Sequence, residues 1–128
     1  MGTRCNILIT DANGSELWIY RHNDGYPEQV LPQLNELMNK VKEGLLRDNV
    51  GQFTGWLIVI GNKEYKRTRA LPNKTKKPKW GSWKCGAYEP TTGQHGDIDF
   101  MYWVDLESKT VTHSPSIDWE AVEFREWN

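Results

Sequence analysis

Two apolar segments flank an Asn-Gly pair near the N-terminus. Residues 5–10 and 16–20 are rich in Ile, Leu, Trp and Tyr, and Asn13 and Gly14 lie between them. Asn and Gly both accept the positive φ angles of a tight type I′ turn, and this pattern is typical of a β-hairpin. We therefore predict two antiparallel strands joined by a short turn in this part of the chain.

Two longer segments have the spacing of helices. Across residues 28–45 apolar side chains recur every three or four positions, which predicts an amphipathic helix. The predicted buried stripe consists of Val30, Leu34, Leu37, Met38, Val41 and Leu45. Pro32 is compatible with this helix only in its first turn, where the missing N–H has no partner to lose. The apolar run at 53–61 suits either a buried strand or a buried helix, but its helical spacing continues past Gly61 and favours a second helix over 52–66.

The C-terminal half contains three shorter strand patterns. Residues 83–89 and 97–106 are predicted strands separated by a turn at 90–93, and a third strand at 110–113 pairs back across a turn at residues 107–108. In the second of these strands, alternation places four apolar side chains on one face, namely Ile98, Phe100, Tyr102 and Val104. Together the patterns predict an α+β fold of order ββααβββ, with a mainly antiparallel sheet covered on one face by two helices.

Charge is unevenly distributed along the chain, although the formal net charge is only −1. Residues 63–84 are rich in Lys and Arg, with Glu64 as their only acidic residue. Within them, residues 67–82 contain proline and few apolar side chains, which predicts a mobile basic loop. From Asp97 onward acidic residues predominate, and residues 117–128 are predicted to form a short helix. The basic and acidic segments are able to face each other within the molecule or between copies.

Composition indicates one soluble globular domain over residues 1–128, because a chain with 38% hydrophobic and 26% charged residues is not globally disordered. Seven Trp exceed what one small core needs, which predicts aromatic surface at an interface or in a pocket, and a homo-oligomer. The sequence shows neither a signal peptide nor a membrane span, so we expect a cytoplasmic protein. Cys5 and Cys85 lack the paired spacing of zinc or redox motifs and are expected to be reduced thiols, with a contact between them left open.

Five short motifs resemble a group of uncharacterised proteins carried by phages and prophages. They are GTRCN at 2–6, RHNDGYP at 21–27, GWLIVIG at 55–61, GAYEP at 86–90 and HGDID at 95–99. This resemblance extends from the N-terminus to about residue 106. More weakly, the element order and the motifs look like the phage-encoded inhibitors of the Thoeris defence system, which trap a cyclic ADP-ribose signal without cleaving it. The resemblance implies a class of function, and no site residue is transferred from it.

The loop at 21–27 offers a cation, an imidazole, an acid and an aromatic ring close together. Arg21 and His22 are suited to donate hydrogen bonds to a phosphate while Tyr26 stacks on a base. The ordinary alternative is that Asp24 and Gly25 shape a turn and Tyr26 leads into the helix, with Arg21 paired to a neighbouring acid.

The HGDID motif offers possible metal ligands. In a strand, alternation would place His95, Asp97 and Asp99 on one face. One imidazole and two carboxylates suit a divalent metal or acid–base catalysis, so a small metal-dependent hydrolase is an alternative function. The ordinary alternative is that these residues cap a loop and face solvent.

The end of the basic loop carries Trp80, Trp83 and Lys84. Lysine interleaved with tryptophan suits a nucleic-acid backbone with stacked bases, or a single nucleotide. Because the net charge is close to zero, a polynucleotide partner is disfavoured.

The sequence carries none of the common catalytic signatures. It lacks a glycine-rich phosphate loop, a nucleophile elbow, paired Cys ligands and a His-x-Thr pair, so an enzyme is the minority interpretation. We expect a non-catalytic, phage-derived anti-defence protein, without a cofactor, that sequesters a nucleotide-like signalling molecule. The alternatives are the hydrolase and an inhibitor that binds a host defence effector, with an acidic C-terminal half facing a basic partner. The predicted ligand-binding residues, aromatics for stacking and cations for phosphate, are Arg21, Tyr26, Trp83, Lys84, Tyr88 and His95.

Overall fold

The computed structural model describes residues 2–68 and 87–115. Three features named from the sequence lie outside the described residues: the predicted helix at 117–128, Cys85 and nearly all of the basic loop at 67–82. In the part of the chain that the structure describes, no helix is both long and apolar enough to cross a bilayer.

The described residues form five strands and two helices in the predicted order. These elements are β1 (Cys5–Thr10), β2 (Glu16–Arg21), α1 (Pro27–Lys42), α2 (Val50–Thr68), β3 (Glu89–Thr91), β4 (Phe100–Asp105) and β5 (Thr110–Pro115). The strands make one sheet of order β3-β2-β1-β4-β5. Among the strands of the described residues, β1 and β4 pair in parallel and the other pairs are antiparallel. The predicted α+β class is confirmed, and the sheet is mixed.

The hairpin of β1 and β2 is present, but its connection is wider than predicted. Gly14 has a φ of 79°, whereas Asn13 is not among the residues with positive φ, so the predicted type I′ turn is wrong. The carboxylate of Asp11 explains the wider loop, because it accepts hydrogen bonds from the backbone N–H groups of Asn13 at 3.0 Å and Ser15 at 3.2 Å. Asp11 also accepts a bond from the N–H of Val50 at 3.1 Å, which ties the hairpin to the start of α2.

Helix α1 buries the predicted apolar stripe except for its last member. Its buried residues are Val30, Leu34, Leu37, Met38 and Val41. Leu45 lies beyond the end of the helix and is 73% exposed, while Leu46 is buried in its place. Pro32 is the sixth residue of α1, so its predicted position in the first turn is also wrong. Because Pro32 has no N–H, the carbonyl of Glu28 loses its helical hydrogen bond. Both residues are exposed, so water can bind to that carbonyl.

The ambiguous apolar run is a helix, as favoured. In α2, Phe53, Leu57 and Glu64 are buried, while Trp56 and Val59 are exposed. That periodicity belongs to a helix, because alternation in a strand would have buried residues 53, 55 and 57 on one face. Both helices pack on the same face of the sheet, where they share a core with Ile7, Ile9 and Ile19.

Strand β4 is shorter than predicted, since residues 97–99 precede it. Phe100, Tyr102 and Val104 do face the helices. Ile98 does not, because it packs with Leu8 and Met101 in a second cluster, flanked by Trp18, Tyr20 and Trp103. Since side chains alternate along β1, β2 and β4, this second cluster marks the face of the sheet opposite the helices, which we call the far side.

The segment before the edge strand also departs from the prediction. Of the predicted strand at 83–89, only Glu89 belongs to β3, and residues 83–86 lie outside the described residues. Pro90 and Thr91, predicted as a turn, are in β3. A proline is acceptable there because β3 is an edge strand. Strand β5 pairs antiparallel with β4 as predicted.

Gly61 lies where α2 packs closely against the segment before β3. A Cβ atom at Gly61 would lie 2.5 Å from Cδ2 of Tyr88 and 2.8 Å from Cβ of Ala87. We expect Gly61→Ala to lower the free energy of unfolding by about 1–3 kcal/mol in urea denaturation, because the neighbours must move. The control is Gly93→Ala, whose Cβ would meet nothing within 4 Å and which should be neutral or slightly stabilising. Equal stability of the two variants would contradict the close packing.

Candidate ligand-binding site

Arg21 and Tyr88, two of the predicted ligand-binding residues, meet in the interior. Arg21 is the last residue of β2 and is fully buried. Its Nη2 donates hydrogen bonds to both carboxylate oxygens of Glu64, at 3.2 and 2.9 Å, and its Nε donates to the carbonyl oxygen of Asn23 at 2.7 Å. The guanidinium carbon lies 4.8 Å from the centre of the Tyr88 ring, a cation–π distance.

Gln33 extends this cluster toward α1. Its amide nitrogen donates to Glu64 at 2.8 Å, and its amide oxygen accepts a hydrogen bond from the Tyr88 hydroxyl. Burial works to raise the pKa of Glu64, but the hydrogen bonds and charge of Arg21, with help from Gln33, outweigh it and hold that pKa below its usual value. The carboxylate therefore remains ionised and paired, which is the arrangement of a structural ion pair.

Cys5 lies beside this cluster and is not an activated nucleophile. It is fully buried, and burial raises its pKa to about 12 although Arg21 acts in the opposite direction. A thiol with such a pKa stays protonated near neutral pH, and the thiolate is the reactive form. The contacts of Arg21 and Tyr88 described above lie within this interior cluster, and the ligand-binding role predicted for these two residues stays a prediction.

His95 lies on the far side of the sheet, away from Arg21. Its ring stacks on that of Tyr20 from β2, with centroids 4.1 Å apart and planes inclined by 20°. The Tyr20 hydroxyl is 2.7 Å from Nδ1 of His22, which is exposed. The side-chain amide of Asn6 donates to the His95 carbonyl at 3.2 Å and so fixes the loop that carries the imidazole.

Arg4 and the acidic part of the HGDID motif adjoin this aromatic pair. Nη1 of Arg4 donates to Asp97 at 2.7 Å, and the backbone N–H of Arg4 donates to the carboxylate of Asp99 at 3.0 Å. The Arg4 side chain is 31% exposed and that of Asp97 is 73% exposed, so both charges reach solvent. We define the Tyr20–His95 surface as Arg4, Tyr20, His22, His95 and Asp97.

The alternative metal ligands of the HGDID motif, His95, Asp97 and Asp99, are not brought together as a site in the described residues. Residues 95–99 precede β4 and are not a strand, so alternation does not align their side chains. His95 stacks on Tyr20, Asp97 pairs with Arg4, and Asp99 caps a backbone N–H. Among residues 2–68 and 87–115, no group of three His, Cys, Asp or Glu side chains is placed to hold a metal ion.

Tyr20 stays protonated, chiefly because its phenol is partly buried. Partial burial raises its pKa, Arg4 acts against that shift, and the carboxylates of Asp97 and Glu89 reinforce it. The phenol is therefore neutral near physiological pH and available as a hydrogen-bond donor or acceptor. The Tyr20–His95 surface thus combines two imidazoles, a neutral phenol and a guanidinium within reach of solvent.

Tyr26, another predicted ligand-binding residue, does not join this surface. Tyr26 precedes α1 as its N-terminal cap and is half-buried, in the turn that Asp24 and Gly25 shape. Gly25 is held there because its carbonyl oxygen accepts a hydrogen bond from the buried Tyr102 hydroxyl at 2.7 Å. Trp83 and Lys84 lie outside the described residues.

Sequence reasoning missed Arg4 and Tyr20 as candidates. For Tyr20 a signal was present, since it alternates with Ile19 and Arg21 and must therefore face away from the core that they enter. Nothing local marks Arg4, because its partner is Asp97, far away in the sequence.

Comparisons with known protein families, with curated proteins and with solved structures find no match. A functional interpretation of this chain therefore depends on the geometry of its surfaces and on the motif resemblance.

Proposed function

We propose that this is a non-catalytic binding protein of phage origin that captures a nucleotide-like small molecule at the Tyr20–His95 surface. The observation that carries the proposal is the stacked Tyr20 and His95 pair with Arg4 beside it. Aromatic faces suit a base, and a guanidinium suits a phosphate, so this surface offers the two kinds of contact that a nucleotide needs.

Each side chain has a definable role in this proposal. The partly exposed His95 ring, already held flat against Tyr20, offers its other face to a base. Arg4 donates to a phosphate, with Asp97 holding the guanidinium in place when no ligand is bound. The exposed imidazole of His22, which lies 2.7 Å from the Tyr20 hydroxyl, supplies a further hydrogen-bonding group.

Capture without cleavage agrees with the chemistry of the described residues. Hydrolysis needs a nucleophile, a metal or a matched acid and base. Cys5 is buried with a raised pKa, and the carboxylates of Asp97 and Asp99 are engaged with Arg4. These contacts argue against the metal-dependent hydrolase that the HGDID motif suggested.

The anti-defence role is supported by the motif resemblance alone. A phage gains from a protein that removes a host signalling nucleotide by mass action, and such a protein needs affinity and abundance rather than turnover. The alternative partner is a host defence protein, bound directly.

Binding is best tested by isothermal titration calorimetry with cyclic ADP-ribose, ADP-ribose and a set of cyclic mono- and dinucleotides. We expect one of these probes to bind, and His95→Ala to weaken it about tenfold or more, because one stacked base is lost. The matched control is His113→Ala, since His113 is also exposed but lies on β5 facing the helix side. This control should bind like the parent protein.

Two outcomes would overturn the proposal. If none of the probes binds, the small-molecule version fails and capture of a host defence protein becomes the hypothesis to test. If a probe binds but mass spectrometry recovers it cleaved, the protein is an enzyme.

A further inference from the structure

Three large apolar side chains are exposed together near the connection between α1 and α2. Leu45 is 73% exposed, Trp56 49% and Val59 40%. All three line one groove, whose volume is about 270 Å³. Single exposed apolar residues are ordinary on a protein surface, but a contiguous group that includes a tryptophan is typical of an interaction site.

The outer face of α2 is unusually open. Gly51, Gly55 and Val59 follow one another at intervals of four residues, so they lie on the same side of the helix. A Cβ atom at Gly55 would meet nothing within 4 Å, so packing within this chain does not require glycine there. Glycine weakens a helix relative to alanine, and a gap of this kind lets a second helix approach closely.

We propose that this face of α2 is a two-fold interface between two copies of the chain, with their α2 helices antiparallel. Centred between Gly55 and Trp56, such a pairing places the indole of each copy over Gly55 of the other. The groove beside Trp56 then lies against the first turns of the second copy's α2, around Gly51. Antiparallel alignment also brings opposite ends of the helix dipoles together.

Charge supports a second copy as the occupant. Lys63 in α2 and Asp48, shortly before α2 begins at Val50, are both exposed and are separated from the centre of this pairing by the same number of residues, on opposite sides of it. Each lysine therefore faces the aspartate of the other copy, twice in a symmetric dimer. This surface is complementary to itself. It carries both the projecting Trp56 and the open position at Gly55, and both members of the charge pair, as a two-fold interface requires.

The test is sedimentation velocity on the full chain over a range of concentrations. We expect a dimer. Gly55→Leu should raise the dissociation constant of this dimer about tenfold or more, because the leucine side chain occupies the space that Trp56 of the second copy needs. Leucine is a good helix former, so this variant keeps its fold.

The matched control is Asn35→Leu on the exposed face of α1, which should leave the dimer unchanged.

Charge exchange gives an independent check. Lys63→Glu alone and Asp48→Lys alone should each weaken the dimer, and the double variant should restore it. A chain that is monomeric at all concentrations, or a dimer that Gly55→Leu leaves intact, would overturn the proposal. Because the Tyr20–His95 surface is on the far side of the sheet, these variants leave nucleotide affinity unchanged, so this proposal and the proposed function fail separately.

Discussion

Glu64→Leu is expected to lower the free energy of unfolding by about 3–5 kcal/mol, because it leaves the guanidinium of Arg21 buried without its carboxylate. Arg21 is fully buried and Glu64 is 5% exposed, so water cannot replace the lost partner. The measurement is urea or guanidinium denaturation at neutral pH. The exposed Glu43, just after α1, provides a control, since Glu43→Leu should change stability by less than about 0.5 kcal/mol.

The double variant Arg21→Met with Glu64→Leu separates charge from packing. It removes both charges, and we expect it to be more stable than Glu64→Leu alone, because replacing a buried ion pair by apolar side chains is often close to neutral. A double variant less stable than the single one would contradict the account of this cluster as an ion pair. It would mean that the hydrogen bond of Arg21 to Asn23, or the contact of Arg21 with Tyr88, dominates instead.

The same pair makes stability depend on pH in a defined direction. Because the pKa of Glu64 is lower in the folded protein than in the unfolded chain, its contribution is complete above the ordinary carboxyl pKa and is lost as the pH falls through the lower folded value. As the pH falls between those two pKa values, the free energy of unfolding of Glu64→Leu should decrease less steeply than that of the parent protein.

Phe53→Ala is expected to cost about 3–5 kcal/mol of unfolding free energy, because it opens a cavity between α2 and the sheet. Phe53 is fully buried in the main core, one turn before Leu57. Phe53→Leu keeps most of the volume and should cost less than about 1.5 kcal/mol, which makes it the control. Thermal or urea denaturation measures both. A cost below about 1 kcal/mol for Phe53→Ala would contradict the placement of α2 over the sheet.

Local patterns predicted most of the elements. The apolar segments around Asn13-Gly14 gave the hairpin, and helical spacing from Val30 to Val41 gave α1. The predicted turn type was wrong because the Asp11 carboxylate organises a wider loop. This carboxylate also accepts a hydrogen bond from Val50, a distant residue that the sequence rules for turns do not consider. Leu45 was wrongly placed in the core because periodicity alone does not mark where a helix ends.

Contacts between distant parts of the chain were not predictable in the same way. The parallel pairing of β1 with β4 joins Cys5 to Phe100, and no turn connects them. The stack of Tyr20 on His95 depends on that arrangement, as does the ion pair of Arg4 with Asp97. The functional alternatives for Arg21 could not be separated in the sequence either, because the acid that pairs with it is 43 residues away.

Native mass spectrometry of the protein purified from phage-infected cells detects a captured small molecule directly. We expect the protein to retain an intact molecule of nucleotide size, and we expect His95→Ala purified in the same way to lose it while His113→Ala keeps it. A protein that carries no small molecule under these conditions, or a retained molecule that is unaffected by His95→Ala, would contradict capture at the Tyr20–His95 surface.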